Sequence, residues 1–361
     1  MRKTSASPAP VLLRFAGASD RLRSGKKLRD GISGVAADGD TLWVVVDETR
    51  SVERLTRTKD RQPTFAAHTR IPLDDLLRMP GGARSEADLE DIDIAGGCLW
   101  IVGSHAVDRE MPADDASPRK IAKTLLDVAR DGNRCLLARL PLVERGATWT
   151  PRKGGAARLE GNAKGNALTR ALAKDAHFGG FLALPGKENG FDIEGLAVVG
   201  ERVLLGLRGP VFNQWAAILE IEPRAVRGDP ATLRLARFGP GRKRYRKHFL
   251  KLDGLGIRGL CRHGLDILVL AGPVNARDGP AKIHRWIGGA RPDVERRLRP
   301  EDLVRVMDLP SGQRGTDHPE GIVVLPSKDG RERLLVVYER ASEKRFRGAH
   351  GVRADLFAIP A

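Results

Sequence analysis

A motif that recurs five times along the chain constrains the fold more than any other feature of the sequence. Each copy has an apolar residue, a variable polar position, in most copies a glycine, and then an apolar pair. A Gly- or Asp-containing turn and a second apolar run follow each copy, and this succession is typical of a β-hairpin. The copies are 32–36, 89–93, 193–197, 257–261 and 319–323.

Further apolar runs follow every hairpin, so each repeat supplies more than two strands. A hairpin with one or two additional strands makes a four-stranded blade, and repeated blades make a β-propeller. Horseshoes and α-solenoids would require helical periodicity in every repeat, which most repeats lack. The sequence therefore predicts an all-β fold, with residues 1–361 forming one β-propeller domain. The additional runs are 52–57, 135–140, 215–221, 281–287 and 354–359.

The spacing of the variable polar position predicts the number of blades. The intervals between successive copies are similar in length, except for a much longer one between the second and third copies. The residues before the first copy and after the last together make up about one more interval, so we expect a strand at about 11–15 to close the ring. Five blades are the prediction; six are the alternative, because the long interval has room for a degenerate blade.

Two helix-like segments lie in the long interval and favour an insertion in the second blade over an additional blade. In the first, at about 104–133, Ser117 and Pro118 are typical of a helix start and Gly132 of a helix end. The second helical segment is predicted at about 163–177. The apolar face predicted for the first helix consists of Ile121, Leu125 and Val128.

Composition excludes several classes of protein. The 361 residues are 41% hydrophobic and carry a net charge of +16, which excludes a collagen, a disulfide scaffold and a wholly disordered chain. No run approaches the ~18 apolar residues of a membrane span, and the first residues lack the apolar region of a signal peptide. We therefore expect a cytoplasmic protein without a membrane partner. Cys98, Cys135 and Cys261 are expected to be reduced and buried in strands.

Two basic segments, 242–248 and 343–347, offer one explanation for the positive charge. Tyr245 and Phe346 stand among Arg and Lys residues there, as stacking on a single-stranded nucleic acid would require. Such runs are more often solvated loops, so a nucleic-acid partner is kept as an alternative.

The repeat also predicts a site, because equivalent positions of the inner strands converge at one end of the central channel. Five of the predicted residues occupy the variable position, two stand two residues earlier, and two end the second strand of a hairpin at the same mouth. The predicted mouth residues are Ser33, Glu90, Asp192, Glu194, Arg208, Arg258, His318, Glu320 and Glu339.

Three hypotheses account for so many charges at one mouth. The carboxylates repel one another unless one is protonated or a cation lies among them. Arg208 and Arg258 could supply that cation in a buried network that joins the blades, or could themselves form an anion pocket. The carboxylates could instead hold a hard metal ion. His318, with His105, is the candidate general base.

The most specific part of the sequence, DIEGLAV at 192–198, LLGLRGPV at 204–211 and WA at 215–216, resembles the bacterial family DUF3616, and the likeness extends over nearly the whole chain. The resemblance implies a bacterial propeller with no assigned reaction. A Glu at the head of an inner strand is more distantly similar to phytase-like esterase and gluconolactonase propellers, which bind calcium on the channel axis. This similarity implies calcium at the three positions that match, Glu90, Glu194 and Glu320.

The leading functional prediction is a ligand-binding or protein-interaction scaffold with its charged site at one mouth of the channel. The expected partner is a small anionic ligand or a protein. One alternative is a calcium-dependent ester or phosphoester hydrolase, in which the metal polarises the ester and His318 moves a proton. The other is a protein associated with polyanions or nucleic acid through the two basic segments.

Overall fold

The computed structural model describes residues 8–17, 21–22, 25–82, 85–146, 148–275, 277–312, 315–326 and 330–360. The fold is all-β, as the sequence predicts. Two short α-helices, α1 (Pro118–Thr124) and α2 (Ala167–Leu172), accompany the strands. No helix in the described residues is both long enough and apolar enough to cross a membrane.

The strands follow one another in short antiparallel runs. In chain order they are β1 (Ala9–Arg14), β2 (Ile32–Asp38), β3 (Thr41–Val46), β4 (Ser51–Arg57), β5 (Thr64–Pro72), β6 (Leu89–Ala95), β7 (Cys98–Gly103), β8 (Leu137–Arg145), β9 (Thr148–Pro151), β10 (Ala157–Leu159), β11 (Gly161–Asn162), β12 (Gly165–Asn166), β13 (Asp192–Val199), β14 (Arg202–Gly209), β15 (Trp215–Ile221), β16 (Pro223–Val226), β17 (Asp229–Leu235), β18 (Tyr245–Lys251), β19 (Gly256–His263), β20 (Asp266–Gly272), β21 (Ala281–Trp286), β22 (Leu303–Leu309), β23 (His318–Pro326), β24 (Glu332–Glu339), β25 (Phe346–Arg347) and β26 (Gly351–Ala358).

Each of the five predicted hairpins begins an antiparallel sheet. The third sheet has the order β13-β14-β15-β18 and the fourth β19-β20-β21-β22. The first runs β2-β3-β4-β5, and the last runs β23-β24-β26-β1. The second, β6-β7-β8-β10, continues into β17 and β16. These sheets are the blades of a β-propeller.

The first strands of the hairpins contact one another in a closed cycle, in the order β2, β6, β13, β19, β23 and back to β2. Five apolar clusters fill the spaces between sheets, and each takes its residues from two consecutive hairpins. One example is the packing of Trp43 and Val45 with Leu99 and Ile101. This arrangement favours five blades over six, and the blade count stays a prediction.

The N-terminal strand lies where the ring joins its two ends. β1 pairs antiparallel with β26 along its whole length and parallel with β5 at Leu12 and Leu13. His68 adds a side-chain link, because its Nδ1 accepts a hydrogen bond from the Ala16 amide at 3.0 Å and its Nε2 lies 2.5 Å from the buried Glu53 carboxylate. The first and last sheets are therefore continuous.

A second link joins neighbouring sheets. The hairpin of β16 and β17 leaves the third sheet between β15 and β18 and extends the second sheet, where β17 runs parallel to β10. This link and the N-terminal one depend on contacts between distant parts of the sequence, and no local pattern predicted the β16–β17 hairpin.

The predicted insertion departs from the expected helix. Ser117 caps α1, its Oγ accepting from the Lys120 amide at 3.4 Å, but the helix ends at Thr124 and Gly132 begins a 3-10 turn. The expected apolar face is not buried, because the chain turns back to pair Ala129 with Asp108 instead of continuing the helix. Within the predicted segment 163–177, the helix is confined to α2.

Candidate binding site at the channel mouth

Each of the five variable positions is the extra residue of a β-bulge. In every inner hairpin the pairing register shifts at that residue, which has no partner on the second strand, while the residues on both sides are paired. A bulge turns a side chain away from the regular alternation of a strand. The five bulged residues are Ser33, Glu90, Glu194, Arg258 and Glu320.

The residue after the bulge explains the glycine of the motif. A Cβ on Gly34 would lie 2.6 Å from the Cα of Asp91, and a Cβ on Gly259 would lie 2.9 Å from the carbonyl oxygen of Glu320. The inner strands thus approach too closely for a side chain. The second copy has Asp91 here, whose buried carboxylate accepts from the Leu196 amide at 2.7 Å. Asp91 therefore fastens the second sheet to the third.

All nine predicted mouth residues line one cavity of about 150 Å³. Carboxylates outnumber cationic side chains among its described residues by nine to six, whereas the whole chain is basic. The carboxylates are Asp47, Asp88, Glu90, Asp108, Asp192, Glu194, Asp278, Glu320 and Glu339. The cations are Arg134, Lys187, Arg208, Arg258, Arg277 and Arg340.

A buried chain of ion pairs crosses the mouth. Arg208 pairs with Asp192 of its own hairpin, and its Nη1 lies 2.6 Å from Oε1 of Glu194. Arg258 Nε lies 2.8 Å from the other oxygen of Glu194 and donates to Oε2 of Glu320 at 2.7 Å. Both guanidinium groups are thus occupied by buried carboxylates, and three consecutive sheets are joined.

Two carboxylates of the cavity have no such partner. Within the described residues, no Arg, Lys or His lies within ion-pair distance of Glu90 or Asp47. Among the described residues, the adjacent Glu48 amide is the one hydrogen-bond donor to the Asp47 carboxylate, at 2.7 Å. Gly31 makes room for this carboxylate, since a Cβ there would lie 2.6 Å from Asp47 Oδ1.

The excess of carboxylates raises their pKa values. Burial, together with the charges of Glu339 and Asp88, raises the pKa of Asp47 to about 7. Burial and nearby carboxylates raise the pKa of Glu90 well above its usual range. Burial also raises the pKa of Glu194 to about 7, although Arg208 and Arg258 oppose the shift. The mouth therefore holds protons near neutral pH that a bound cation would displace.

One further carboxylate atom lacks a partner. Asp192 is fully buried, and its Oδ1 accepts no hydrogen bond from the described residues although its Oδ2 is paired with Arg208. An unsatisfied buried oxygen is costly unless a ligand or water supplies the missing donor.

The loop at the base of the insertion contributes a cation that the sequence did not reveal. Arg134 Nε lies 3.3 Å from Asp88 Oδ2, and its Nη2 lies 3.6 Å from Asp108. Ser104 also donates to Asp88, at 2.6 Å. Asp88 is therefore satisfied, unlike Glu90 two residues later.

The two candidate histidines differ in position. His318 lines the cavity, and its Nε2 lies 3.2 Å from Asp278 Oδ1. His105 is wrong as a candidate base, because it is buried away from the cavity. Its Nδ1 donates to the Gly103 carbonyl at 2.8 Å, and its Nε2 accepts from Asn166 at 2.6 Å. Burial lowers the pKa of His105 to about 4.

The carboxylates predicted to hold calcium do not form one set. Glu90 and Glu194 lie together with Asp192, whereas Glu320 lies with His318 and Glu339. Both Glu194 and Glu320 are paired with Arg258, and a guanidinium already supplies the positive charge that calcium would bring. The predicted trio therefore does not fit a calcium ion.

The basic segment 242–248 is not the predicted loop. Tyr245, Lys247 and His248 lie in β18 and are buried, so the Tyr245 ring is not free to stack on a base. In the segment 343–347, the guanidinium of Arg29 lies over the Phe346 ring at 3.8 Å. The cysteines are free, as predicted, but Cys135 lies in a 3-10 turn instead of a strand.

Residues 31–355 match the family model described as "Protein of unknown function (DUF3616)". The chain belongs to this family. The search of curated proteins found no relative of the chain.

Solved structures resemble the chain along most of its length at low sequence identity. Glutaminyl cyclase from Myxococcus xanthus is 10% identical, with 98% of this chain and 100% of that chain covered and a TM-score of 0.38. A PQQ-bound aldose sugar dehydrogenase from Streptomyces coelicolor is 14% identical, with coverages of 98% and 99% and a TM-score of 0.38. An exo-β-1,3-galactanase from Clostridium thermocellum is 10% identical, with coverages of 95% and 60% and a TM-score of 0.44. No activity is transferred from these proteins.

Proposed function

We propose that the protein binds a small ligand at the channel mouth through a cationic group of that ligand. The observation that carries this proposal is the imbalance of the cavity: among the described residues, Glu90 and Asp47 have no Arg, Lys or His at ion-pair distance, while Arg208 and Arg258 are already paired with other carboxylates. A positively charged ligand group would neutralise these carboxylates and give the orphaned Asp192 Oδ1 a donor.

The geometry favours a cation over the anion that the sequence predicted. An anion bound at Arg208 or Arg258, the cations that the sequence predicted for it, would have to displace Asp192, Glu194 or Glu320, and would then meet the remaining carboxylates. Like charges in a buried site raise the free energy of binding. The calcium-dependent hydrolase lacks comparable support, since its three carboxylates are divided between two groups and two of them are bound to Arg258.

The raised pKa values give the proposed binding a defined pH dependence. Asp47 and Glu194 carry protons below about pH 7, and a cation binds more tightly to the ionised carboxylates. Affinity for a cation should therefore increase as the pH rises from 6 to 8.

Thermal denaturation with agmatine, a short chain with an ammonium and a guanidinium group, tests the proposal. Agmatine should raise the Tm of the wild type with concentration as binding linkage requires, whereas citrate should not. Glu90→Gln should abolish the rise, and Glu144→Gln, at an exposed position of β8, should retain it. An increase of Tm with citrate and none with agmatine would restore the anion hypothesis.

A further inference from the structure

Exposed apolar side chains are concentrated in one part of the chain, the insertion that follows the second hairpin. Half of the exposed large apolar residues in the described part of the chain lie in the insertion or in the segment packed against it. Two are almost fully exposed, Met111 at 91% and Leu126 at 82%. Solvation of this much apolar surface is unfavourable, and a concentrated patch of it indicates a contact surface. The apolar rim consists of Met111, Leu125, Leu126, Val128 and Leu184.

Backbone pairing connects the segments of the apolar rim to the acidic cavity at two points. Val107 and Asp108 line the cavity, and Asp108 exchanges backbone hydrogen bonds of 2.8 and 2.9 Å with Ala129, next to Val128. Val107 pairs with Pro185, which adjoins Leu184.

A side-chain link holds the rim in place. Arg109 donates to the Leu125 carbonyl, and its Nε lies 2.6 Å from Glu188 Oε1 in the loop whose Lys187 lines the cavity.

We propose that the mouth and the rim together bind a polypeptide segment in which a Lys or Arg is flanked by large apolar residues. This proposal rests on the proposed function, since the basic side chain would occupy the acidic cavity. The acidic cavity is complementary in charge to the Lys or Arg, and the apolar rim can contact the apolar residues on either side of it.

The distribution of the apolar groups favours a peptide over a lipid or an alkyl amine. The cavity, at about 150 Å³, has room for one side-chain-sized group and is lined by charges, so an alkyl chain has no apolar tunnel to enter. The rim residues are not among those that line the cavity, so a peptide can contact them with side chains other than the one that enters it.

Fluorescence anisotropy with two labelled peptides, acetyl-Leu-Lys-Leu-amide and acetyl-Ser-Lys-Ser-amide, tests this inference, with agmatine as an unlabelled competitor. We expect the Leu peptide to bind at least tenfold more tightly than the Ser peptide. The double variant Met111→Ser/Leu126→Ser should remove that tenfold difference and leave competition by agmatine unchanged. Leu265→Ser removes an apolar side chain that is 65% exposed at the β19–β20 turn, and this control should behave as the wild type.

The outcomes separate this inference from the proposed function. If agmatine binds but the two peptides bind equally, the peptide surface is refuted and the cation site stands. If the Leu peptide binds and Glu90→Gln does not weaken it, the peptide inference is refuted, because the basic side chain is not in the cavity, and the effect of Glu90→Gln on agmatine binding decides the proposed function. If neither peptide nor agmatine binds, the proposed function fails and the peptide inference fails with it.

Discussion

Two buried acidic clusters of this protein differ in how completely their charges are paired. At the outer edge of the third sheet, Asp175 accepts from the Tyr245 hydroxyl at 2.6 Å and from Lys247 at 3.0 Å, and Lys243 adds a third contact at 3.2 Å. At the channel mouth, no comparable partner of Glu90 or Asp47 is found in the described part of the chain. Burial alone would raise the pKa of Asp175, but these donors lower it, whereas at the mouth the pKa values are raised.

This difference in pairing indicates different roles for the two clusters. The Asp175 cluster is neutralised within the chain, and it fastens the segment after α2 to β18, so its role is accounted for by stability. Among the described residues of the mouth, the half-buried carboxylates of Glu90 and Asp47 have no ion-pair partner, and in the proposed function a ligand supplies the missing positive charge. Stability and function often conflict at binding sites in this way.

The largest loss of stability is expected from a substitution that breaks the ion pairs of the channel mouth. Arg258→Met should lower the free energy of unfolding by ~3–5 kcal/mol, because it leaves Glu194 and Glu320 buried without that guanidinium. Chemical denaturation measures this, with Arg262→Met, an exposed position on the same strand, as control. A loss below about 1 kcal/mol would show that the pairs do not hold the sheets together.

A smaller loss of stability is expected when the Asp175 cluster is disrupted. Asp175→Asn should destabilise by ~2–3 kcal/mol, because Lys247 is buried and loses its charged acceptor. Agmatine binding should be unchanged in this variant, as calorimetry would show. Weakened binding would indicate that the two clusters are coupled, which would remove the distinction between them.

The two clusters should also have opposite effects on the pH dependence of stability. Asp47 and Glu194 have pKa values of about 7 when folded and near 4 when unfolded. Their stabilisation is present below about pH 4 and is lost as the pH rises towards 7, by ~1–2 kcal/mol per group after allowance for partial exposure and coupling. Asp175, with its lowered pKa, stabilises above pH 4 and loses that effect on acidification.

Unfolding by urea at pH 5 and pH 8 checks this dependence. In the wild type, the free energy of unfolding should fall from pH 5 to pH 8. Asp47→Asn should reduce this fall, whereas Asp175→Asn should leave it as in the wild type. If the free energy of unfolding falls equally in the wild type and in Asp47→Asn, Asp47 is ionised at both pH values.

The repeat made the inner strands and the mouth residues predictable, because a position repeated in five hairpins must converge once the hairpins form a ring. The β-bulge at each variable position was not foreseen, although the glycine after it signalled close packing. Asp91, which replaces that glycine in the second copy, was a visible sign of a different role that sequence reasoning passed over.

Contacts between distant segments could not be predicted from local patterns. Lys247 and His248 look like part of a solvated charge run, but they are buried because Asp175 and Glu220 lie opposite them in the fold. Arg134 reaches Asp88 and Asp108 from the 3-10 turn that follows the insertion, which the sequence did not place near the mouth. The repeat did suggest a buried network in which Arg208 and Arg258 pair with carboxylates, but the sequence could not decide between that network and an anion pocket.

Calorimetric titration of agmatine at pH 6.5, in two zwitterionic buffers with different ionisation enthalpies, tests the central claim most directly. If protonated carboxylates at the mouth receive the cation, the observed enthalpy should differ between the buffers by an amount that corresponds to release of about one proton, and Glu90→Gln should abolish binding. Binding without proton release, or the absence of any binding by the wild type, would contradict the account.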